Sequence, residues 1–202
     1  MLKIGITGNI GSGKSTACKV FELLGIKVYS ADERARLLMR KPEIIKAITK
    51  VFGTEILDSD GQVDRKKLGG IVFNNNEKLK QLEGIIHPAT IKDFAEWCKA
   101  HTDEPYILKE AAILYESGTY KGLDKVIVII ADEATRIYRV VERDKSSPES
   151  VRQRDSHQWA EEEKIKHADY LIENDGKQLL LPQVIKLDKV LRGMGGSLNY
   201  DL

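Results

Sequence analysis

Short apolar segments alternate with helical patterns along most of the chain. Residues 2–7 (LKIGIT) and 125–130 (KVIVII) are apolar segments typical of strands that are buried on both faces. The predicted strands, in chain order, are 2–7, 26–30, 106–109, 125–130 and 170–173. Because strands that alternate with helices indicate βαβ units, we predict an α/β fold with a mostly parallel five-stranded sheet between two helical layers.

The predicted strands are unevenly spaced. Residues 31–105, between the second and third strands, have a helical pattern, although Pro88 should bend or break the stretch from 76 to 100. A second insertion covers about 143–168, where Ser147 is expected to cap a helix that begins at Pro148. We therefore predict helical insertions into one core. Further helices are predicted over 14–24, over 33–40, after a cap at Asp132, and over 178–192.

The clearest candidate for chemistry is the segment from Gly8 to Ser15, which fits G-x-x-x-x-G-K-[ST] between a predicted strand and helix. Its glycines allow backbone amides to turn toward phosphate oxygens. Lys14 is expected to reach the β- and γ-phosphates, and Ser15 to ligate Mg²⁺. Thr16 is placed to donate to the α-phosphate. These residues predict a nucleoside triphosphate site, formed by Gly8, Gly11, Ser12, Gly13, Lys14, Ser15 and Thr16.

The loop itself leaves open whether the protein is a kinase or a GTPase. A guanine-reading N-K-x-D is absent from the sequence, which favours a kinase. Arginines cluster in the second insertion and the helix before it, and guanidinium groups could neutralise a transferring phosphoryl group. The same arginines could instead form a solvated face paired with nearby carboxylates. The cluster consists of Arg136, Arg139, Arg143, Arg152 and Arg154.

Carboxylates near strand ends are candidates for acid–base and metal chemistry. Asp32 follows the second predicted strand, and groups at the carboxyl ends of parallel strands face the ligand crevice. It could accept a proton from an attacking hydroxyl or simply cap the following helix. Glu110 and Glu116 raise the same question for Mg²⁺ or its waters.

Charge and hydropathy narrow the class of partner. With 32 Lys and Arg against 31 Asp and Glu, the net charge of +1 provides no basic surface for nucleic acid. No apolar segment is long enough to span a membrane, and the first residues do not form a signal peptide. We therefore expect a cytoplasmic protein with no nucleic-acid or membrane partner, and we favour a monomer.

Beyond the loop, several stretches resemble one family, the dephospho-coenzyme A kinases. VYSADERAR is similar to that family's D-A-D-x-x-A-R, and LEGIIHP to its L-x-x-I-x-H-P. AAILYESG resembles P-L-L-F-E-S-G, and ADYLIENDG matches A-D-x-x-I-x-N-x-G. ERDKSSPESVRQRDSHQ resembles the lid segment, with Arg143, Arg154 and Gln158 in register. With the loop, these stretches lie in family order and extend to about residue 192.

The resemblance implies a single P-loop kinase domain and a particular reaction. Its three-layer core would comprise about 1–38, 104–142 and 168–192, with an acceptor-binding insertion at about 40–103 and a lid at about 143–167. The implied reaction is the phosphorylation, by ATP with Mg²⁺, of the ribose 3′-hydroxyl of dephospho-coenzyme A. The resemblance favours Asp32 as general base and Arg143 as the lid contact to phosphates. It implies substrate-binding positions for Asp32, His87 and Glu116, although His87 could equally be structural at the expected kink. It also implies a position near the adenine for Asn174.

Three residues depart from the family pattern. Asn9 stands where the family normally has glycine, and asparagine adopts the turn conformations of glycine better than most residues, so we expect little loss. Ser30 replaces an aspartate, which could change the Mg²⁺ environment, and Ala112 replaces a proline. The alternatives are another kinase for nucleosides or nucleotides and a nucleotide-binding module without acceptor chemistry.

Overall fold

A computed structural model describes residues 1–72 and 75–195 of the chain. The chain divides into two compact units, one formed by Met1–Ser30 with His101–Leu202 and the other by Ala31–Ala100. The strands are β1 (Leu2–Thr7), β2 (Lys27–Ser30), β3 (Tyr106–Glu110), β4 (Lys125–Ile130) and β5 (Tyr170–Glu173). The helices are α1 (Lys14–Leu23), α2 (Ala31–Leu38), α3 (Pro42–Phe52), α4 (Arg65–Val72), α5 (Asn76–Lys99), α6 (Glu133–Asp144), α7 (Pro148–Asp155), α8 (Glu161–His167) and α9 (Leu180–Gly195).

The first unit is built on a parallel sheet with the strand order β2-β3-β1-β4-β5. The central strand β1 is paired on both sides, with Ile6 in register with Glu110 of β3 and Ile127 of β4. All four strand pairs are parallel, so the carboxyl ends of the strands lie at one edge of the sheet. The predicted α/β fold with a parallel sheet is confirmed, and this edge is where such folds bind ligands.

One face of this sheet forms an apolar core with α1 and α9. Ile4 and Ile6 of β1 point to this face because alternate residues of a strand share a side, and both are fully buried. Phe21 of α1 and Leu187 of α9 pack on them in the same cluster. On the other face, a Cβ at Gly5 would lie only 2.7 Å from Leu114 Cδ2, so this close approach requires glycine.

A buried polar network joins β3, α9 and the end of α1. The Tyr106 hydroxyl donates to Asp188 Oδ1 at 2.7 Å, and Arg192 Nε donates to the same carboxylate at 2.9–3.0 Å. A terminal nitrogen of Arg192 also donates to the carbonyl of Leu24 at 2.7 Å. Since Asp188 is mostly buried, these donors compensate for the desolvation of its charge.

The second unit is helical and has its own apolar core. Its central residues come from α3, α4, α5 and the loop after α3, and they are Ile48, Phe52, Ile56, Leu68, Val72 and Ile86. Arg34 of α2 makes a bidentate contact with the nearly buried Asp93 of α5, at 2.6 and 2.7 Å. This ion pair fixes α2 on α5 within the unit.

The helix predictions are largely confirmed, with one exception at Pro88. The side chains of Asp132 and Ser147 cap α6 and α7 as expected. Of the bend or break expected at Pro88, the break does not occur, because α5 is one continuous helix of 24 residues. Buried side chains on both sides, Ile86 and Phe94, offset the hydrogen bond that proline cannot donate. Within the described ranges, no helix combines the length and apolar character that crossing a membrane requires.

Candidate active site

The predicted phosphate-binding loop connects the end of β1 at Thr7 to the start of α1 at Lys14. Gly11 and Gly13 have φ of 82° and 96°, in the left-handed region that favours glycine. A side chain at Gly11 would collide with the carbonyl of Arg136, and one at Gly13 with the amide of Asn174. These glycines are therefore required by both backbone conformation and close packing.

The helix start has the features of an anion site. Among the described residues, the backbone amides of Gly13 and Ser15 donate to no protein acceptor, and α1 has no acidic residue in its first turn. The positive end of the helix dipole is therefore not neutralised locally. Lys14 Nζ donates to the carbonyl of Gly8 at 2.8 Å, which keeps its ammonium group at the loop. Ser15 and Thr16 are exposed, so their hydroxyls are accessible to a metal ion and a phosphate.

Asn9 has a different role from the one its sequence position suggested. The structure gives no positive φ at Asn9, since Lys145 is the only such non-glycine residue within 1–72 and 75–195. Asn9 therefore needs no glycine-like conformation here, and the expectation that this departure costs little stays a prediction. Instead, the buried Asn9 amide donates to Asp155 Oδ1 at 3.0 Å and to the carbonyl of Trp159 at 3.2 Å. The next residue, Ile10, donates its backbone amide to Gln158 Oε1 at 2.8 Å.

Two arginines of the predicted cluster contact the loop backbone. Arg136 is buried, and its NH1 donates to Asp155 Oδ1 at 2.9 Å and to the carbonyl of Ile10 at 3.3 Å. Arg139 donates to the carbonyl of Gly11 at 3.5 Å. These hydrogen bonds to loop carbonyls stabilise the loop conformation, so the contacts of Arg136 are structural.

Arg143 is paired with its neighbour instead of the loop. Its guanidinium contacts both oxygens of Asp144, at 2.7 and 3.1 Å, and the same carboxylate accepts from Arg154 at 2.9 Å. The hydrogen bonds from these two arginines hold the pKa of Asp144 well below its usual range. The Arg143 side chain is 62% exposed, and in the described part of the chain it makes no hydrogen bond to residues 8–16. The phosphate contact that the resemblance implies for Arg143 stays a prediction.

Glu116 faces the segment before α8. Its Oε1 accepts from the backbone amide of Trp159 at 2.7 Å and lies 3.1 Å from Nζ of Lys164. The Lys164 side chain is fully buried, and burial lowers the pKa of its ammonium while the Glu116 charge opposes that shift. The ring of Tyr115 stacks on Trp159 with centroids 5.7 Å apart. The observed contacts of Glu116 are thus those of a partner to a buried cation.

Asn174 and Ser30 also have clear structural contacts. Asn174 Nδ2 donates to the carbonyl of Ser12 at 2.8 Å, which fixes the loop immediately before α1. The position near the adenine stays a prediction. The Ser30 hydroxyl donates to Glu110 Oε2 at 2.9 Å, at the carboxyl ends of β2 and β3. A second carboxylate at residue 30 would face Glu110 directly, whereas serine supplies a hydrogen bond.

Asp32 and His87 belong to the second unit. α2 begins at Ala31, so Asp32 lies in its first turn, and the alternative that Asp32 caps the helix was wrong. The Asp32 carboxylate is exposed and makes no hydrogen bond or ion pair with any residue in 1–72 or 75–195. His87 is half-buried on α5.

Sequence reasoning missed how two residues support the loop and its neighbours: the partly buried Asp155 and the fully buried Lys164. The partners of Asp155 lie 146 and 19 residues away in the sequence, so no local pattern could identify it. Lys164 lies in the charged stretch EEEKIKH, which is typical of a solvated helix face. The pairing with Glu116 and the burial of Lys164 arise only from the tertiary fold.

The parallel sheet and the glycine loop at its carboxyl edge define the class of protein. A strand, a loop of this pattern and a helix that begins at its lysine are the structural context of a P-loop, and together they identify a P-loop kinase core. Two shikimate kinases, from Bacteroides thetaiotaomicron and Acinetobacter baumannii, share this fold at TM-scores of 0.53 and 0.51, with 14% and 16% identity.

Sequence comparison specifies the family. The sequence model of the dephospho-CoA kinase family matches residues 2–179. A dephospho-CoA kinase of Fusobacterium nucleatum is 44% identical over 172 residues, which cover 85% of this chain and 89% of that protein. One from Aquifex aeolicus is 42% identical over 177 residues, covering 87% and 90%. The solved structure of a dephospho-CoA kinase from Campylobacter jejuni has a TM-score of 0.71 and 32% identity, covering 96% of this chain and 98% of that one. This chain belongs to the dephospho-CoA kinase family.

Proposed function

We propose that this chain carries out the reaction of its family, the transfer of the γ-phosphoryl group of ATP to the ribose 3′-hydroxyl of dephospho-CoA. The products are CoA and ADP. A bond forms between the 3′-oxygen and the γ-phosphorus, the bond from that phosphorus to the β–γ bridging oxygen breaks, and the hydroxyl proton passes to a base. The observation that supports this most directly is a complete phosphate-binding loop in a chain that belongs to this family.

The loop residues fit a triphosphate with Mg²⁺. The phosphate oxygens would be held by Lys14, by the helix dipole, and by the amides of Gly13 and Ser15, which have no protein acceptor among the described residues. Thr16 would donate to the α-phosphate. Ser15 would ligate Mg²⁺ through its exposed hydroxyl. When bound, the metal ion neutralises charge on the phosphates during transfer. The backbone around this site is shaped by Gly8, Gly11 and Ser12. The hydrogen bond from Asn174 to the Ser12 carbonyl stabilises that backbone.

Asp32 is our candidate for the general base. Its carboxylate is exposed and free of protein partners in the described residues, so it remains available to a hydroxyl group. A positioned carboxylate that accepts the hydroxyl proton contributes about 10²–10⁴-fold to such reactions. We propose His87 as a further contact to the acceptor, and Glu116 as a residue that acts on substrate binding through Trp159 and Lys164.

Arg143 would reach the phosphates only after leaving Asp144. The pair lies at the surface, where ion pairs contribute about 0–1 kcal/mol, so a triphosphate could replace the carboxylate at little cost. Arg154 would continue to neutralise Asp144 after that exchange. A cytoplasmic location, a monomeric state and the absence of a nucleic-acid partner stay predictions from the sequence.

The test of this function is an acceptor-dependent assay of ADP release. We expect turnover with dephospho-CoA, a product that carries a new 3′-phosphate by ³¹P NMR, and little turnover with nucleoside monophosphates. Preference for a nucleoside monophosphate would indicate the alternative kinase. ATP binding without turnover on any acceptor would indicate a binding module.

Two substitutions test the residue roles in the same assay. Asp32→Asn should keep ATP binding but lower kcat by about 10²-fold or more, because an amide cannot take the proton. Lys14→Ala should abolish turnover, because it removes the positive charge that reaches the transferring group. Near-parental kcat in Asp32→Asn would remove Asp32 from the mechanism. Glu33→Gln, an exposed neighbour in the same helix turn, serves as the matched control.

A further inference from the structure

The side chain of Asn9 links the phosphate-binding loop to residues 155–164, which we call the cap segment. Its Nδ2 atom carries two hydrogens, and each has an acceptor in the cap segment: Asp155 Oδ1 at 3.0 Å and the Trp159 carbonyl at 3.2 Å. Asn9 is 3% exposed, so neither hydrogen bond competes freely with water. A glycine at this position would leave both acceptors without this donor.

The acceptors of Asn9 are themselves fixed. Asp155 Oδ1 also accepts from NH1 of the buried Arg136, which in turn donates to the carbonyl of Ile10. Trp159 is held by the hydrogen bond from its amide to Glu116 and by stacking on Tyr115. The loop at residues 9–10 and the cap segment therefore form one hydrogen-bonded assembly.

We propose that Asn9 is a positioning residue that couples the conformation of the phosphate-binding loop to the order of the cap segment. With the coupling intact, the loop backbone is preorganised before ATP arrives. By linkage, ATP bound on the loop must then stabilise the packing of Trp159 to the same extent. This inference rests on the proposed binding of ATP by the loop, but it does not depend on the identity of the acceptor.

The coupling can be measured with Asn9→Ala. Alanine is compatible with the conformation of Asn9, because φ there is not positive. Asn9→Gly, which introduces the residue that the resembled family normally has, is a second variant in case alanine disturbs folding. Gln153→Ala, an exposed amide on α7 away from the loop contacts, is the control and should keep parental values.

The expected result is a change in ATP binding with little change in chemistry. The KM for ATP should rise by about 5-fold in Asn9→Ala, the equivalent of one ordinary net hydrogen bond. The kcat and the KM for dephospho-CoA should stay within about twofold of the parent, because the lost contact is the same in the ground and transition states. A purely structural role would lower the melting temperature and leave this KM unchanged.

Trp159 provides an independent readout without acceptor. The chain has two tryptophans, so Trp97→Phe leaves Trp159 as the sole tryptophan, whose emission can be excited selectively over that of the tyrosines. In that background, Asn9→Ala should make Trp159 more accessible to acrylamide. Saturating ATP with Mg²⁺ should reduce the quenching of Trp159 in the parent but much less in Asn9→Ala, because the variant lacks the contact that transmits the effect. Unchanged quenching together with an unchanged KM for ATP would overturn the inference. If the parent turned over a different acceptor, the proposed substrate would be wrong while the Asn9 result would stand.

Discussion

Glu116→Ala should destabilise the protein strongly, because it leaves the fully buried Lys164 without its anionic partner. The two charged atoms lie 3.1 Å apart, and Glu116 itself is 12% exposed. Removing one member of a buried pair typically costs about 3–5 kcal/mol, since the remaining charge is desolvated and uncompensated. The alanine variant also removes the acceptor for the Trp159 amide.

We expect the loss to lie near the lower end of that range, at about 3 kcal/mol. Partial exposure of Glu116 allows water to approach Lys164 once the side chain is removed. In addition, Glu116 Oε2 is buried without a hydrogen-bond partner among the described residues, so its removal relieves part of the cost. For a chain of this size, the loss corresponds to a decrease in melting temperature of about 6–12 °C.

The assay is urea denaturation of the parent, Glu116→Ala and Glu116→Gln, repeated across alkaline pH. Glutamine keeps an acceptor for Trp159, so the difference between the two variants separates the hydrogen bond from the charge. Glu163→Ala is the matched control. Glu163 pairs with Lys166 at the surface, where solvent screens the pair, so its removal should leave the free energy of unfolding almost unchanged.

The dependence on pH has a defined sign. The pKa of Lys164 in the folded protein is already below the ordinary value of 10.5, and loss of Glu116 lowers it further. Between the folded pKa and 10.5, the unfolded chain binds more protons than the folded one, so stability rises with pH. The deficit of Glu116→Ala should therefore shrink as pH rises toward 10.5. A deficit below about 0.5 kcal/mol at neutral pH, or one that grows with pH, would refute the reasoning.

Two further predictions concern buried groups. Tyr106→Phe should lower the free energy of unfolding by about 2 kcal/mol, because the buried Asp188 carboxylate loses the hydrogen bond that the Tyr106 hydroxyl donates to it. An unchanged urea midpoint would contradict this. The Cys18 thiol should be inert in the native protein, since burial, and to a lesser extent the charge of Glu110, raises its pKa well above the ordinary value. In a Cys98→Ser background, its reaction with a disulfide reagent at pH 8 should be at least about 100-fold slower than in denaturant, because it must await opening of the core. Comparable rates in the two conditions would show that Cys18 is exposed.

Local patterns identified the elements of the fold and the phosphate-binding loop. Strand and helix periodicities depend on neighbouring residues, and β1, β4, α6 and α7 formed where those periodicities and caps predicted them. Local reasoning was wrong where packing dominates. α5 continues through Pro88 because its flanking residues are buried. Asp32 lies within α2 because that helix begins at Ala31, two residues before the predicted start at residue 33.

The sequence by itself determined that this protein has a P-loop, a parallel α/β core and the motifs of its family, because each of these depends on residues that are contiguous in the chain. Only the tertiary structure decided how the loop is supported. Asn9 donates a hydrogen bond to Asp155, which lies 146 residues away in the sequence, and Glu116 forms an ion pair with Lys164 inside the first unit. Arg136 and Arg143 lie in one helix and share a residue type, yet one is buried beneath the loop and the other pairs with Asp144 at the surface. The physical reason is that burial and long-range pairing depend on which elements pack together, and packing is a property of the whole chain.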